Sequence, residues 1–576
     1  MPDRSWTDAL WTLPSPDGER VGAIRESTGL SDVAARVLAL RFDTVPDRTW
    51  LVPSLDHLHD PGLLHDMPRA LERLRRAVRD REKIRIITDY DVDGTTSSLI
   101  LQAALKMVGP GLDIDYHIPN RFDEGYGFSV KAAEKAVEDG VKLIVTADIG
   151  VRDHASVAKA HEGGVDVLIC DHHLPPGESV PEEAIVLCPP KAECTYPNPY
   201  LAACGVSLKL ATALLHDHPR FDLVLRSLLK LAAIGTVADL VPLTSAENRA
   251  IVSLGLRELN VGRHHPGLGE LLRVCDIKGD ITETDLGFRV GPRINAAGRL
   301  VDAKLVVELL NCRDPARARE LAGHLDRLNK ERQGIQRTVF DAAMERIGTG
   351  EPDPFVVVAG PEEEGWHRGV VGIVASKVKD AVHRPVAVVS VQGDVAVGSV
   401  RSIDAVHAVR ALDAAQDLLV RYGGHPAAAG FTVPTDRIDA LRERLGAWVL
   451  EHTTPEDLVR HRRVDVELTP DQLSWPLFGE LESLGPFGMK NPRPRLMIRG
   501  VRPERPRVLA DGRLLKFGIP GTSAGFLSCV WWGEGERLEQ IGQGPVDVLG
   551  QLGVNTWNGN RELQLQVMDV RDSRVP

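Results

Sequence analysis

Between residues 83 and 255 two hydrophobic patterns alternate. Short continuous apolar and β-branched runs, IRII from Ile84, KLIVTAD from Lys142 and VDVLICD from Val165, are separated by stretches whose apolar residues recur at helical spacing. Such runs predict buried strands, and strands alternating with helices predict a parallel sheet. A second alternation occupies residues 350 to 455. There PFVVVAG, PVAVVSV and VAVGSVRSI read as strands, GVVGIVASKVKDAV reads as a helix, and the two glycines of GGHPAAAG read as a turn before a small-residue helix.

Before and between these regions the pattern is helical. GLSDVAARVLALRF and MPRALERLRRAV have amphipathic spacing, the latter with Leu71, Leu74 and Val78 on one face. After Asp314 and Pro315, a helix cap followed by proline at the first helical position, a charged Leu/Ala pattern continues to about Ile347 and predicts one long connecting helix. Past Pro455 a Pro/Gly-rich link precedes LMIRGV, GRLLKFGI, FLSCVWW, VDVLGQLGV and ELQLQVMDV, the last two joined at an Asn558-Gly559 hairpin turn. Five short strands predict a small barrel of the OB-fold type.

The expected architecture is α/β and multidomain. It comprises a helical arm (residues 1–75), a parallel-sheet catalytic domain (76–255), a phosphate-contacting loop with the connecting helix (256–349), a second α/β domain (350–455) and an OB-fold-like barrel (456–576). A length of 576 residues, 43% hydrophobic, suits several cores. No run of eighteen apolar residues and no basic-then-apolar leader is evident, so a cytoplasmic protein without membrane attachment is expected. Seven scattered cysteines without a C-x-x-C pair argue against a disulfide framework or zinc knuckle. A net charge of -12 argues against a generic nucleic-acid coat and leaves room for a nuclease with a local basic track.

The chemistry gathers where strands end. IRIIT is followed by Asp89, Asp91 and Asp93, then Gly94 and a Thr/Ser-rich helix start; a second strand ends in Asp148, a third in Asp171, His172 and His173, and Asp239 follows an apolar segment. Carboxylates so close together repel one another unless cations sit among them, and ligands of open α/β sheets collect at the carboxyl ends of the strands. An EF-hand calcium loop also begins D-x-D-x-D-G, but its twelfth position must be Glu, and here it is Ile100. Singly, Asp148 or Asp239 could be a helix cap and the His pair an ordinary hydrogen-bonded feature; together they point to one metal site. Oxygen and imidazole ligands without thiolate favour Mn²⁺ or Mg²⁺.

Three further stretches carry candidate contacts. In GFRVGPRINAAGRL, Arg289, Arg293 and Arg299 with Asn295 in a small-residue loop could approach phosphate, or the arginines could pair with structural carboxylates. Ser399 and Arg401, two apart on one strand, share a face that could take a terminal phosphate or could simply be a solvent-facing strand, and His425 offers a donor beside two glycines. Trp531, Trp532 and Trp557 could stack bases on the barrel, or belong to its core.

With DYDVDG, IPNRFDEGYG, TADIG, CDHH, GTVADLVPL, PRINAAGR, GWHRGVVGIVASK, GSVRSI, RYGGHPAAAG and LGPFGMKNP in that order, the chain resembles the bacterial single-strand DNA exonucleases of the DHH phosphoesterase superfamily over nearly its whole length. The resemblance implies two ions, Mn²⁺ or Mg²⁺, on Asp91, Asp93, Asp148, His172 and Asp239. Asp171 would orient the site, and His173 would lie near the scissile phosphate. Some members place a His where this chain has Ile87, so Asp89 or water is expected to fill that coordination position. Arg293, Ser399 and Arg401 match positions that hold the DNA 5′ end; Asn295, Arg299 and His425 would line its path. Two ions about 3.5–4 Å apart would activate a water for attack on phosphorus, and 5′-mononucleotides would be released in the 5′ to 3′ direction, in DNA repair and recombination. The expected partner is single-stranded DNA, with a helicase and a single-strand binding protein as helper classes, acting on a monomer. A phosphodiesterase for very short oligonucleotides fits poorly with the long helix and barrel, and a non-catalytic scaffold fits poorly with intact ligand candidates.

Overall fold

A computed structural model describes residues 4–573 apart from 122, 123, 176, 178, 524 and 558. The chain divides into two compact units, Pro16–Asn329 with Gly479–Pro494, and Met1–Ser15 with Lys330–Phe478 and Arg495–Pro576.

The first unit is built on a five-stranded, all-parallel sheet. Its strands lie in the order Ile114–His117, Ile84–Thr88, Leu143–Ala147, Asp166–Cys170 and Ala184–Leu187. Successive side chains of a strand point to opposite faces. Ile84 and Ile86 therefore enter one buried cluster while Ile87 enters another with Ile144 and Val157, which is why the runs read as continuously apolar. The chain goes from the Ile84–Thr88 strand to one neighbour and later to the other, so the sheet has a switch point between Ile84–Thr88 and Leu143–Ala147. In register, Thr88 pairs with Ala147 and Ala147 with Cys170. The next residues, Asp89, Asp148 and Asp171, therefore leave the sheet side by side at that point.

The helix Val92–Val108 follows immediately. It can do so because residue 94 is glycine: a Cβ there would lie 2.4 Å from the Asp89 carbonyl oxygen. The expected small-residue loop around Asn295 is instead helical. Leu286–Val290 forms a π-helical turn that runs into the helix Gly291–Leu300. Its small residues serve packing rather than a cradle: a Cβ on Gly298 would stand 2.9 Å from the Tyr90 carbonyl oxygen.

In the second unit a mixed sheet has the order Arg421–His425, Ala428–Pro434, Val395–Arg401, Val386–Gln392 and Val356–Pro361, and the helix Val371–Val382 lies between the last two in sequence. GGHPAAAG does not start a helix; it is a β-hairpin pairing Gly424 with Ala429 and His425 with Ala428. Gly424, at φ 152°, lies beside the returning strand so closely that a Cβ would meet the Ala428 carbonyl oxygen at 2.4 Å, so these small residues serve strand pairing.

The C-terminal part of this unit forms a seven-stranded sheet, two strands more than the pattern predicted: Val466–Leu468 and Glu504–Leu509 join the edges. The first is too short, and the second too polar and exposed, to show an apolar signature. The expected Asn558-Gly559 turn falls partly outside the described residues, as Asn558 is not among them. Within the segment expected as a helical arm, the strand Ala9–Thr12 pairs in parallel with Arg460–Arg463, while Gly18–Thr28, Asp32–Ala39 and Met67–Arg79 are helices of the first unit. The connecting helix runs from Pro315 to Ile347. No helix among the described residues is long and apolar enough to cross a membrane.

Candidate active site and metal centre

The three aspartates that leave the sheet in register are joined by two from helices. Asp93, in the first turn of Val92–Val108, accepts backbone hydrogen bonds from Ala203 (2.7 Å) and Cys204 (2.9 Å) at the start of the helix Ala203–Leu214. Asp239 caps the C-terminal end of Phe221–Ala238. Gly235, one turn earlier, lets that helix close in: a Cβ there would lie 2.9 Å from an Asp93 oxygen.

Among the described residues potential ligand atoms form three groups, each within 4.8 Å: Asp89, Asp91 and Asp148; Asp93, His172 and Asp239; and, overlapping both, Asp148, Asp171, His172 and His173. The first two meet where His172 Nε2 lies 3.2 Å from Asp148 Oδ1; on its other side His172 Nδ1 lies 3.6 Å from Asp239 Oδ2. Asp148 reaches this central position with φ 63°, the left-handed region in which a non-glycine residue is held only by its surroundings. Asp171 sits beneath, accepting from the backbone of Val151 (3.1 Å), His172 (2.7 Å) and His173 (3.1 Å), and from His173 Nδ1 at 2.8 Å. Ile87, 1% exposed, points into the core. Asp89 offers an oxygen within 4.8 Å of those of Asp91 and Asp148.

Electrostatics separate these carboxyls into two kinds. Burial, then the neighbouring Asp91 charge, pushes Asp89 up to about 8. Burial followed by Asp93 and Asp91 pushes Asp239 up to about 9, burial raises Asp93, and Asp148 is raised well above the usual range by burial and the surrounding aspartates. Asp171 goes the other way: burial opposes ionisation, but the hydrogen bond and charge of His173 outweigh it and bring the carboxyl down to about 2. Burial lowers His172; His173 is raised, because Asp171 overcomes the cost of burial.

A divalent cation fits this set. Four crowded carboxyls are raised by burial and one another's charge, the buried Asp89 Oδ1 has no hydrogen-bond partner, and the donors are carboxylate oxygen and imidazole nitrogen.

Other expected contacts divide. Ser399 and Arg401 share a strand face, with Arg401 Nη1 donating to Ser399 Oγ at 2.9 Å. Gly372, in the first turn of Val371–Val382, faces both: a Cβ there would lie 3.1 Å from Arg401 Nη2 and from Ser399 Oγ. Arg293 is held by Asp326, through Nε at 3.0 Å and Nη2 at 2.9 Å, the structural pairing that sequence had left as its alternative. Arg289 likewise pairs with Asp285 at 3.1 Å. Asn295 and Arg299, four apart on one helix, are half-buried, and His425 is exposed. Trp531 is core, 3% exposed and stacked on Trp6 at 6.2 Å, whereas Trp532 is 64% exposed; the side chain of Trp557 lies outside what is described.

Two features escaped the sequence reading. Tyr126, within the EGYG motif, places its hydroxyl 3.4 Å from both the Asp148 carbonyl oxygen and His173 Nε2, and Arg121 of the same stretch lies 4.2 Å over the Tyr90 ring. The other is a groove of about 470 Å³ on the C-terminal sheet, lined by Trp475, Phe526, Arg505, Arg507, Lys516 and Arg561 among others. Arg505 and Arg561 lie 5.1 and 5.7 Å over the Phe526 and Trp475 rings. Basic residues within the strand runs were the available signal.

Comparison with known families agrees with this layout. The chain matches the DHH family N-terminal domain over residues 83–236, the DHHA1 domain over 353–451 and the RecJ OB domain over 464–569. It is 36% identical over 567 residues to the single-stranded-DNA-specific exonuclease RecJ of Bacillus subtilis (strain 168), covering 97% of this chain and 70% of that protein. Against the RecJ of Escherichia coli (strain K12) the identity is 34%, covering 88% and 90%. The crystal structure of RecJ in complex with Mn²⁺ from Thermus thermophilus superposes with a TM-score of 0.83 at 31% identity, covering 99% of this chain and 80% of that one; its Mg²⁺ complex gives 0.77 at 30%, covering 99% and 79%. With this agreement over sequence, domain order and fold, the chain belongs to the RecJ family of single-stranded-DNA-specific exonucleases.

Proposed function

We propose that this protein hydrolyses single-stranded DNA from its 5′ end, releasing 5′-mononucleotides with the help of two divalent cations, Mn²⁺ or Mg²⁺. One observation carries the reading: two three-residue sets of oxygen and nitrogen ligands meet at the 3.2 Å contact between Asp148 and His172. Asp89, Asp91 and Asp148 would hold one cation, and Asp93, His172 and Asp239 the other, with Asp148 between them. When bound, the cations supply a water of lowered pKa and neutralise charge on the attacked phosphate.

The chain's own groups do the rest. Asp171, fully hydrogen-bonded and ionised, fixes the His173 ring through Nδ1 and sustains its charge, leaving Nε2 to donate to a phosphate oxygen. Tyr126 borders the same position. Ser399 and Arg401 form the recognition pair for a terminal 5′ phosphate, since a guanidinium can give two parallel hydrogen bonds to such a group. The groove of Trp475, Phe526 and the surrounding arginines suits a single strand, with rings for bases and cations for phosphates. Single-stranded DNA is the partner, with a helicase and a single-strand binding protein as helper classes, and a cytoplasmic location and a role in repair and recombination go with this chemistry.

Labelled strands distinguish the possibilities. A strand carrying label at its 5′ end should lose it first as a mononucleotide in Mn²⁺ and keep it in EDTA. Release from the 3′ end, or cleavage in EDTA, would overturn the reading.

A further inference from the structure

Residues 484–492, in a Pro/Gly-rich stretch between the C-terminal strands, belong to the first unit, far in sequence from its main segment Pro16–Asn329. They form a closed loop. Asn491, wholly buried, donates from Nδ2 to the Leu484 and Pro486 carbonyl oxygens at 2.9 Å each, and Gly488 and Asn491 exchange backbone hydrogen bonds of 2.9 and 3.1 Å.

Two arginines fasten this loop. Arg41 donates to Asn491 Oδ1 and, at 2.6 Å, to the Pro492 carbonyl oxygen. Arg249, buried with its guanidinium 3.7 Å over the Trp50 ring, donates to the carbonyl oxygens of Leu484 (2.8 Å) and Ser483 (3.0 Å).

The tip of the loop meets the segment that follows Asp239. Leu243 N–H donates to the Met489 carbonyl oxygen at 2.9 Å, and Gly488 lies so near that a Cβ would stand 2.8 Å from Leu243 Cδ1. Leu240, directly after Asp239, has φ 60° and is 61% exposed, so its own side chain gives the turn little support. The turn is held further along, by Leu243 and by the Thr244 carbonyl oxygen, which accepts from Trp50 Nε1 at 3.0 Å.

We propose that residues 484–492 are a positioning clip for Asp239: by holding Leu243 the loop fixes the left-handed turn at Leu240 and thereby aims the Asp239 carboxylate at His172. This rests on the reading of Asp239 as a metal ligand. Asn491, Gly488, Arg41 and Arg249 are then positioning residues, tying the N-terminal helices, the clip and the ligand turn into one assembly.

The test uses the full-length protein and direct Mn²⁺ binding, by electron paramagnetic resonance or calorimetry, together with hydrogen exchange at residues 240–246. Asn491→Ala unlocks the loop, and Gly488→Ala pushes its tip against Leu243. Each should weaken one of the two Mn²⁺ sites by about 10- to 100-fold, as loss of a supporting partner of a metal ligand does, and spare the other. Exchange at 240–246 should rise, and activity should return at high Mn²⁺. Leu215→Ala controls for general destabilisation: this buried side chain lies at the other end of Ala203–Leu214 from the Asp93 contacts, and its loss should lower Tm while leaving both affinities unchanged. Wild-type affinity at both sites in Asn491→Ala and Gly488→Ala, or an equal affinity loss in Leu215→Ala, would overturn the clip. Failure of the metal reading shows separately, as a wild-type chain that takes up no Mn²⁺, and would overturn the clip with it.

Discussion

Asp148 combines a buried carboxyl, a left-handed backbone and contact with His172. Asn tolerates that backbone conformation, so Asp148→Asn isolates the charge. Hydrolysis should fall roughly 10²- to 10⁴-fold, with an unchanged circular dichroism spectrum; a near-normal rate would remove Asp148 from the centre. For the proposed contact of Ser399 and Arg401 with a terminal phosphate, a charge-assisted hydrogen bond is worth about 1.5–3 kcal/mol, so Arg401→Ala should lower kcat/KM on 5′-phosphorylated strands roughly 10- to 150-fold. On 5′-hydroxyl strands the loss should be smaller, and an equal loss on both would dissociate Arg401 from the terminal phosphate. The aspartates were legible because strand register turns a sequence position into a spatial one: the residue after Thr88, Ala147 or Cys170 has only one place to go. Arg293 was not, because its partner Asp326 lies on another helix, 33 residues away. Nor was Tyr126, whose place depends on how its loop folds back over the strand ends.

Among the elements, strands with an apolar face were readable and those without one were not. Glu504–Leu509, mostly exposed, became a strand through pairing with Leu514–Thr522, and it carries two arginines of the groove. Arg505→Ala combined with Arg507→Ala should weaken binding to long single strands and flatten the salt dependence by about 0.7 in log–log slope for each phosphate no longer neutralised, while cleavage of saturating short strands stays near normal. Trp531→Phe should leave affinity unchanged, since that ring is core. At the start of the helix Met67–Arg79, Asp66 spends its carboxylate on Lys191 (2.7 Å) and the Val186 N–H (3.3 Å). Burial acts to raise its pKa, but Lys191, the Val186 N–H and Arg69 together outweigh burial and the carboxyl sits below the usual range. The folded pKa is lowered, so this stabilisation is complete above the ordinary carboxylate pKa of about 3.9 and is lost as pH falls through the folded value. Asp66→Asn should destabilise the protein by about 3–5 kcal/mol near neutrality by leaving Lys191 buried and unpaired. Thermal unfolding from pH 3 to 7 should also show a shallower acid loss than in wild type.

At the scale of the molecule, sequence order and spatial grouping part company. Domain succession was visible in the hydrophobic pattern, but the return of Gly479–Pro494 to the first unit was not, since a Pro/Gly-rich stretch reads as a linker whether or not it packs. A chain ending at residue 455 should therefore lose more than grip on DNA. Its first unit should unfold at lower temperature and cleave even short strands poorly, whereas substitutions in the groove should leave that unit's unfolding untouched. Differential hydrogen exchange of the two forms would show which holds.

The same return sets a clock on synthesis. The first unit's main segment ends at Asn329, yet its last piece arrives about 150 residues later. At roughly 5–20 residues per second, a nascent chain spends on the order of 8–30 s with its strand-end aspartates made and the turn after Asp239 still without its fastening. A nuclease arranged in this way completes its first unit late, after the Ser399–Arg401 strand is made but before the groove residues from Arg505 to Arg561 have been added.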